Sequence, residues 1–335
     1  MFREAAQAAE VVREQLQANA ARSARLAARL RAAPPRAVVT CARGSSDHAA
    51  TFARYLIETR LRVLTSSFSP SVSSVYEATT DLSGTVMLAI SQSGASPDLL
   101  AAVASARAAG ARIVALVNAE TSPLAQLADD LVPLHAGPER SVAATKSYIA
   151  SLAAVVQLVA HWADDRALSA ALREAPALLA RAWQLDWSAA VTHLAAATNL
   201  YVIGRGTGLA VAQEAALKFK ETCGLHAEAV SAAELRHGPM ALVRGGFPLL
   251  LFAQDDETRA GVVQLAEELT AQQADVLIAG AAIARATVLP SERAHPVIEP
   301  LLFAQSFYRM ANALSLARGH DPDRPPHLNK VTATL

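Results

Sequence analysis

Thr85-Val-Met-Leu-Ala-Ile-Ser-Gln-Ser-Gly-Ala-Ser96 sets an unbroken apolar run directly before a hydroxyl-rich turn, and Pro97-Asp98 then opens an Ala/Leu-rich helical segment. A short apolar run bounded by turn residues reads as a strand buried on both faces, so the order is strand, turn, helix. Ser96 stands at the N-cap position and Pro97 at the first helical position, where a missing N–H costs nothing. Ser91, Ser93 and Ser96, a flexible Gly94 and the unpaired N–H groups of a helix start make a cradle for a phosphate. The turn contains no lysine, which separates it from the nucleotide P-loop and points to a phosphate monoester. An ordinary capped turn satisfies the same residues, so the loop alone leaves both readings open.

Outward from this stretch the pattern repeats. An Ala/Arg/Glu-rich helical arm fills residues 1–35 and ends at Pro34-Pro35. Ala37–Cys41 reads as the first buried strand, and Arg43-Gly44-Ser45-Ser46 as a second hydroxyl-bearing turn before a helix. Leu61–Thr65, Arg112–Asn118 and Leu131–Leu134 are further expected strands, and an apolar helix is expected from about Val142 to Trp162. Alternating strands and helices joined by short connections predict an α/β fold, a parallel sheet covered on both faces. A helical linker over 164–195 then leads into what reads as the same unit again. A shift of 162 residues carries Gly44 onto Gly206, Leu88-Ala-Ile onto Leu250-Leu-Phe and Ile113-Val-Ala onto Asp275-Val-Leu. One register serving three strands indicates a duplication. The expected domains are therefore 36–163 and 196–320, followed by a tail over 321–335. In the second copy the serine turn becomes Ala253-Gln-Asp-Asp-Glu-Thr258, whose three carboxylates would repel a phosphate.

Composition narrows the partners. The 335 residues carry 30 basic and 30 acidic side chains, so no global field draws the chain to nucleic acid or to an anionic membrane. Ile149–Ala163 is too short and too polar to be read as a membrane span. Cys41 and Cys223 show neither metal-like nor disulfide-framework spacing, and the N-terminus has no apolar signal core, so a reducing cytoplasm is the expected home. Only Lys146, Lys218, Lys220 and Lys330 among the basic residues are lysines. Arginine serves wherever a generic positive charge suffices, which singles out the few side chains able to do amine chemistry.

Two of those lysines lie on Gln213-Glu-Ala-Ala-Leu-Lys-Phe-Lys-Glu-Thr222, where Glu214, Lys218 and Glu221 follow at i, i+4 and i+7 and share one helical face. A surface ion-pair ladder has the same spacing. His237, just before Gly238-Pro239, is placed to present its ring from a loop, and with the Glu/Lys/Glu face it makes a proton-transfer set.

Taken together, Arg43-Gly44-Ser45-Ser46, Ser91-Gln92-Ser93-Gly94, Val142-Ala-Ala-Thr-Lys146, Glu214 to Glu221, His226-Ala-Glu-Ala229, Glu234-Leu-Arg-His-Gly-Pro239 and the tail Asp321-Pro-Asp-Arg-Pro-Pro-His-Leu-Asn-Lys330 resemble the sugar isomerase (SIS) domain family. Within it, the chain is most similar to the isomerase half of glucosamine-6-phosphate synthase and its stand-alone relatives, from about residue 36 onward. The resemblance implies two tandem SIS domains, each a three-layer, flavodoxin-like α/β/α unit. It implies that Ser45, Ser46, Ser91, Gln92, Ser93 and Ser96, with Val142 and Asn329, bind the sugar 6-phosphate and its neighbouring hydroxyls. Glu221 becomes the carboxylate that moves a proton between C1 and C2, with Glu214 and Lys218 beside it. His237 becomes the ring-opening group, reaching a partner subunit's site in a homodimer, and Lys330 the group at the open-chain carbonyl. No metal or redox cofactor is implied.

Three departures from the synthase matter. Phe2 follows Met1 and only a short arm precedes the first strand, so no glutamine-hydrolysing domain is expected; Ala144 replaces a serine; and the tail Pro-Pro-His-Leu-Asn-Lys330 is closer to the stand-alone deaminase and isomerase branch. The expected activity is hydrolytic deamination of glucosamine 6-phosphate to fructose 6-phosphate and ammonia. The alternatives are an aldose–ketose isomerase of phosphosugars or amino-sugar phosphates, and a non-catalytic phosphosugar sensor. The sensor is disfavoured by the presence of Glu221, His237 and Lys330 together and by the absence of a basic recognition helix.

Overall fold

The computed structural model describes residues 1–330. The duplication is realised as two parallel five-stranded sheets. The first contains β1 (Ala37–Cys41), β2 (Thr65–Ser67), β3 (Thr85–Ser91), β4 (Arg112–Val117) and β5 (Asp130–Pro133), in the spatial order β2-β1-β3-β4-β5. The second contains β6 (Asn199–Gly204), β7 (His226–Ser231), β8 (Pro248–Phe252), β9 (Asp275–Ala279) and β10 (Thr287–Leu289), ordered β7-β6-β8-β9-β10. Both orders are flavodoxin-like, and both reverse direction beside the first strand of the copy, which is where such folds open a ligand crevice.

The chain divides into two compact units. One holds the first sheet and comprises Glu10–Glu139, Lys146–Arg173 and, of the tail, Asn329 and Lys330; the other holds the second sheet and comprises Met1–Ala9, Arg140–Thr145 and Glu174–Leu328. In the first unit every residue of β3 is buried, with Val86 beside Arg112 and Ser91 beside Val117 on β4. Helix Lys146–Trp162 is buried at all but one position. Gln15 donates to the Ala150 carbonyl and Gln157 to that of Leu16, so the helix Ala8–Ala32 is tied to it by buried polar contacts at 2.9 Å. These bonds satisfy groups that burial would otherwise penalise.

Two expected boundaries move. Leu61–Thr65 is not a strand: helix Ser45–Leu61 runs through Leu61, Arg62 ends it in the left-handed region at φ 57°, and β2 begins only at Thr65. Leu64, which lent the stretch its apolar look, is 69% exposed. The apolar helix starts at Lys146 rather than near Val142, whose N–H bonds instead to the Asp323 carbonyl at 3.3 Å.

In the second unit helix Gly208–Cys223 packs on helix Glu299–Ala317. Phe219 and Phe307 meet edge to face at 5.1 Å, and Ser315 Oγ donates to the Thr222 carbonyl at 2.6 Å. Full burial of such side chains contributes roughly 1.5–3 kcal/mol each, which fixes the face that Glu214 and Lys218 present. No helix among the described residues is long and apolar enough to cross a membrane.

Candidate active site

At the crevice of the first sheet, the loops after β1 and β3 lie side by side because those strands pair directly, with Cys41 opposite Ala89. Gly44, at φ 56°, turns the chain into helix Ser45–Leu61, so Ser45 and Ser46 occupy its first turn, half-buried. Arg43 clamps the two loops together: its Nε and Nη2 each approach Asp98 Oδ2 at 2.7 Å, and Asp98 is buried. In the serine turn Ser91 Oγ accepts from the Gly94 N–H at 2.9 Å and Ser93 Oγ from the Ala95 N–H at 3.3 Å. Ser91 is therefore buried as a brace, while Gln92, Ser93 and Ser96 remain partly accessible. Ser96 occupies the N-cap with Pro97 behind it, but its hydroxyl makes no capping bond.

Gly94 sits at φ 63°, and a Cβ there would meet Ser122 Oγ at 2.3 Å and Val117 Cγ2 at 2.9 Å. Its carbonyl accepts from the Leu124 N–H at 3.1 Å. The serine turn thus rests on the Ser122-Pro123 turn that follows β4, a support with no signature in the turn's own sequence.

The corresponding crevice of the second sheet is filled from within. Gln254, which aligns with Gln92, is wholly buried, and its Nε2 donates to the Arg205 carbonyl at 2.7 Å, Asp256 Oδ2 at 3.0 Å and Thr258 Oγ1 at 3.2 Å. A Cβ on Gly208 would lie 2.3 Å from Gln254 Oε1, so only glycine at the helix start leaves room for the amide. The acidic replacement read from the sequence is accompanied by a steric plug.

Helix Gly208–Cys223 delivers the reactive groups of the second unit. Lys218 is completely buried, with Nζ 2.5 Å from Glu221 Oε2 and 3.3 Å from Glu214 Oε1. Burial works against its charge, yet the Glu214 and Glu221 carboxylates outweigh burial and raise the Lys218 pKa above the ordinary lysine value. Lys218 is thus a fixed cation rather than a free amine, and the three residues form an interior network rather than a surface ladder. Tyr308, from helix Glu299–Ala317, donates its hydroxyl to Glu214 Oε1 at 2.9 Å. Sequence reasoning missed it, because nothing local marks a tyrosine in a buried helix 94 residues away. Glu214 is 1% exposed and Glu221 19%, so Glu221 is the end of the network that opens outward.

His237 closes the 3-10 turn Glu234–His237, which is anchored by buried Leu235, and its own ring is exposed ahead of Gly238 at φ 136°. Lys330 lies with the first unit, its Nζ 3.5 Å from Glu139 Oε2. Asn329 is exposed and Val142 half-buried. The thiols stand apart: burial pushes Cys41 up to about 12 and Cys223 to about 11. Among the described residues no group of three or more His, Cys, Asp or Glu side chains is arranged to hold a metal ion.

A duplicated flavodoxin-like protein with hydroxyl-rich turns at the switch point of its first sheet and a buried carboxylate–lysine network is the class that fold and site define. The chain belongs to the SIS domain family, which it matches over residues 33–161 and 193–284. It is 34% identical over 313 residues to the glutamine–fructose-6-phosphate aminotransferase (isomerizing) of Zymomonas mobilis, a match that covers 88% of this chain and 51% of that protein. The chain thus spans about half the length of the curated relatives it matches. Among solved structures, a candidate phosphosugar isomerase from Silicibacter pomeroyi DSS-3 superposes with a TM-score of 0.92 at 45% identity, covering 96% of this chain and 99% of that one. The glucosamine-6-phosphate deaminase of Thermotoga maritima shares the fold at 21% identity, with a TM-score of 0.76 and 99% of both chains covered.

Proposed function

We propose that the protein is a SIS-type glucosamine-6-phosphate deaminase. The observation that carries this reading is Glu221, a partly exposed carboxylate held at 2.5 Å by a lysine that is itself buried and kept cationic. A carboxylate fixed in that way is a base for the proton α to a carbonyl. The 6-phosphate is anchored on Ser45, Ser46, Gln92, Ser93 and Ser96, with Ser91 bracing the turn. His237, contributed across a homodimer, assists ring opening. Glu221 takes the C2 proton of the open-chain aldose and returns it at C1, leaving an imine at C2. Water adds to that imine, and ammonia departs, giving fructose 6-phosphate. Binding energy from the remote phosphate holds the reacting carbons in place.

Release of ammonia from glutamine by a cysteine enzyme needs a reactive thiolate, and neither Cys41 nor Cys223, both buried with raised pKa values, is suited to supply one. A second reading, aldose–ketose isomerisation without nitrogen loss, draws on the phosphosugar isomerase description of the Silicibacter protein.

The test is direct. Glucosamine 6-phosphate incubated with the purified protein is expected to yield ammonium and fructose 6-phosphate in equal amounts. Ketose formed from a hexose 6-phosphate with no ammonium from the amino sugar overturns the deaminase reading in favour of the second. Glu221→Gln is expected to bind the phosphosugar yet lose exchange of the C2 proton with deuterated solvent by at least about a hundredfold.

A further inference from the structure

Glu139 had no assigned task in the sequence, where it sits in the loop between β5 and helix Lys146–Trp162. Its carboxylate is wholly buried. Oε1 accepts from the Ser147 N–H at 3.2 Å and Oε2 from Ser147 Oγ at 2.5 Å, so Glu139 closes the start of that helix. Oε2 also lies 3.5 Å from Lys330 Nζ, which belongs to the tail 191 residues further on. A helix cap needs no carboxylate, since a hydroxyl or an amide serves as well. Burying a full charge is costly unless an opposite charge meets it. The helix start favours an anion there, and the Lys330 ammonium 3.5 Å away adds an opposite charge to the buried carboxylate.

We propose that Glu139 is a positioning residue that fixes the head of Lys330. Resting on the reading that Lys330 works at the open-chain carbonyl, the inference gives that lysine a rigid mount. The N-terminus of a helix set by the first sheet holds a carboxylate, and the carboxylate holds the tail. Lys146, beside Ser147 at the helix start, is itself buried.

Glu139→Gln keeps the shape and the Ser147 contacts while deleting the charge. Its kcat is expected to fall about tenfold to a hundredfold with KM for the phosphosugar changed less than about twofold, because a misplaced reacting group costs rate rather than anchoring. Combined with Lys330→Arg, it should cost little beyond the single change, as residues acting as one unit do. A second readout needs no turnover: trinitrobenzenesulfonate labelling of Lys330, followed by peptide mass spectrometry, with exposed Lys220 as internal reference. Removing the carboxylate should speed Lys330 labelling by about threefold or more, since the ammonium loses its partner. Ser147→Ala, which removes the hydroxyl bond to Oε2 but leaves the backbone N–H bond and the ion pair, should lower the melting temperature without that acceleration.

Unchanged labelling in Glu139→Gln, or additive losses in the double variant, overturns the proposal and leaves Glu139 a helix cap. Faster labelling in a protein that turns over no phosphosugar upholds the mount and refutes the catalytic reading of Lys330 instead.

Discussion

Replacing Lys218 by methionine tests the network at its centre. Methionine fills much of the same volume but leaves two carboxylates facing one another without the cation between them. Glu214 is 1% exposed and keeps the Tyr308 hydroxyl but loses its cation, whereas Glu221, at 19%, can turn towards water. Breaking a buried ion pair from one side costs about 3–5 kcal/mol, because the surviving charge stays desolvated and uncompensated. Against a typical total of about 5–15 kcal/mol that is a large fraction. Urea unfolding at neutral pH followed by circular dichroism should show the midpoint falling with an unchanged slope. Glu214→Gln added to Lys218→Met should recover part of the loss, since the stranded charge is then gone. A loss below about 1 kcal/mol in Lys218→Met, or a double variant less stable by the sum of the two single changes, refutes the reasoning. In the parent protein the Lys218 pKa is raised on folding. The stability it contributes is present in full below the unfolded lysine value of 10.5 and is lost as pH climbs through the higher folded value, so the unfolding midpoint should decline in that alkaline window and Lys218→Met should lack this component.

Two further outcomes follow from the first unit and the thiols. Gly94→Ala forces a Cβ into Ser122 and Val117 at positive φ; it should cost about 1–3 kcal/mol in thermal or chemical unfolding and weaken phosphosugar binding in a calorimetric titration. Cys41 and Cys223, with pKa values pushed up to about 12 and about 11 by burial, should resist iodoacetamide in mildly alkaline buffer and react only after unfolding, as intact-mass measurement would record.

What the sequence displayed and what it concealed divide along physical lines. Buried parallel strands need continuous apolar runs, so the shift of 162 residues that carries β1 onto β6, β3 onto β8 and β4 onto β9 was visible before any coordinates. The same shift fails for the last strand of each copy: it would carry β5 to residues 292–295, whereas β10 lies at Thr287–Leu289. Within the site, the i, i+4, i+7 spacing of Glu214, Lys218 and Glu221 announced a shared face, because helix geometry is local. Their depth was not announced, since burial depends on helix Glu299–Ala317 and its Tyr308. Glu139 and Gln254 were equally silent: one reads as a loop acid and the other as a turn amide until distant chain segments close on them.

The Gln254 plug has a consequence for counting. Duplicating a domain ordinarily doubles what a chain can hold, but here one copy has swallowed its own vacancy with an amide that a facing glycine makes room for. The expected titration endpoint is therefore a single phosphoryl group per polypeptide.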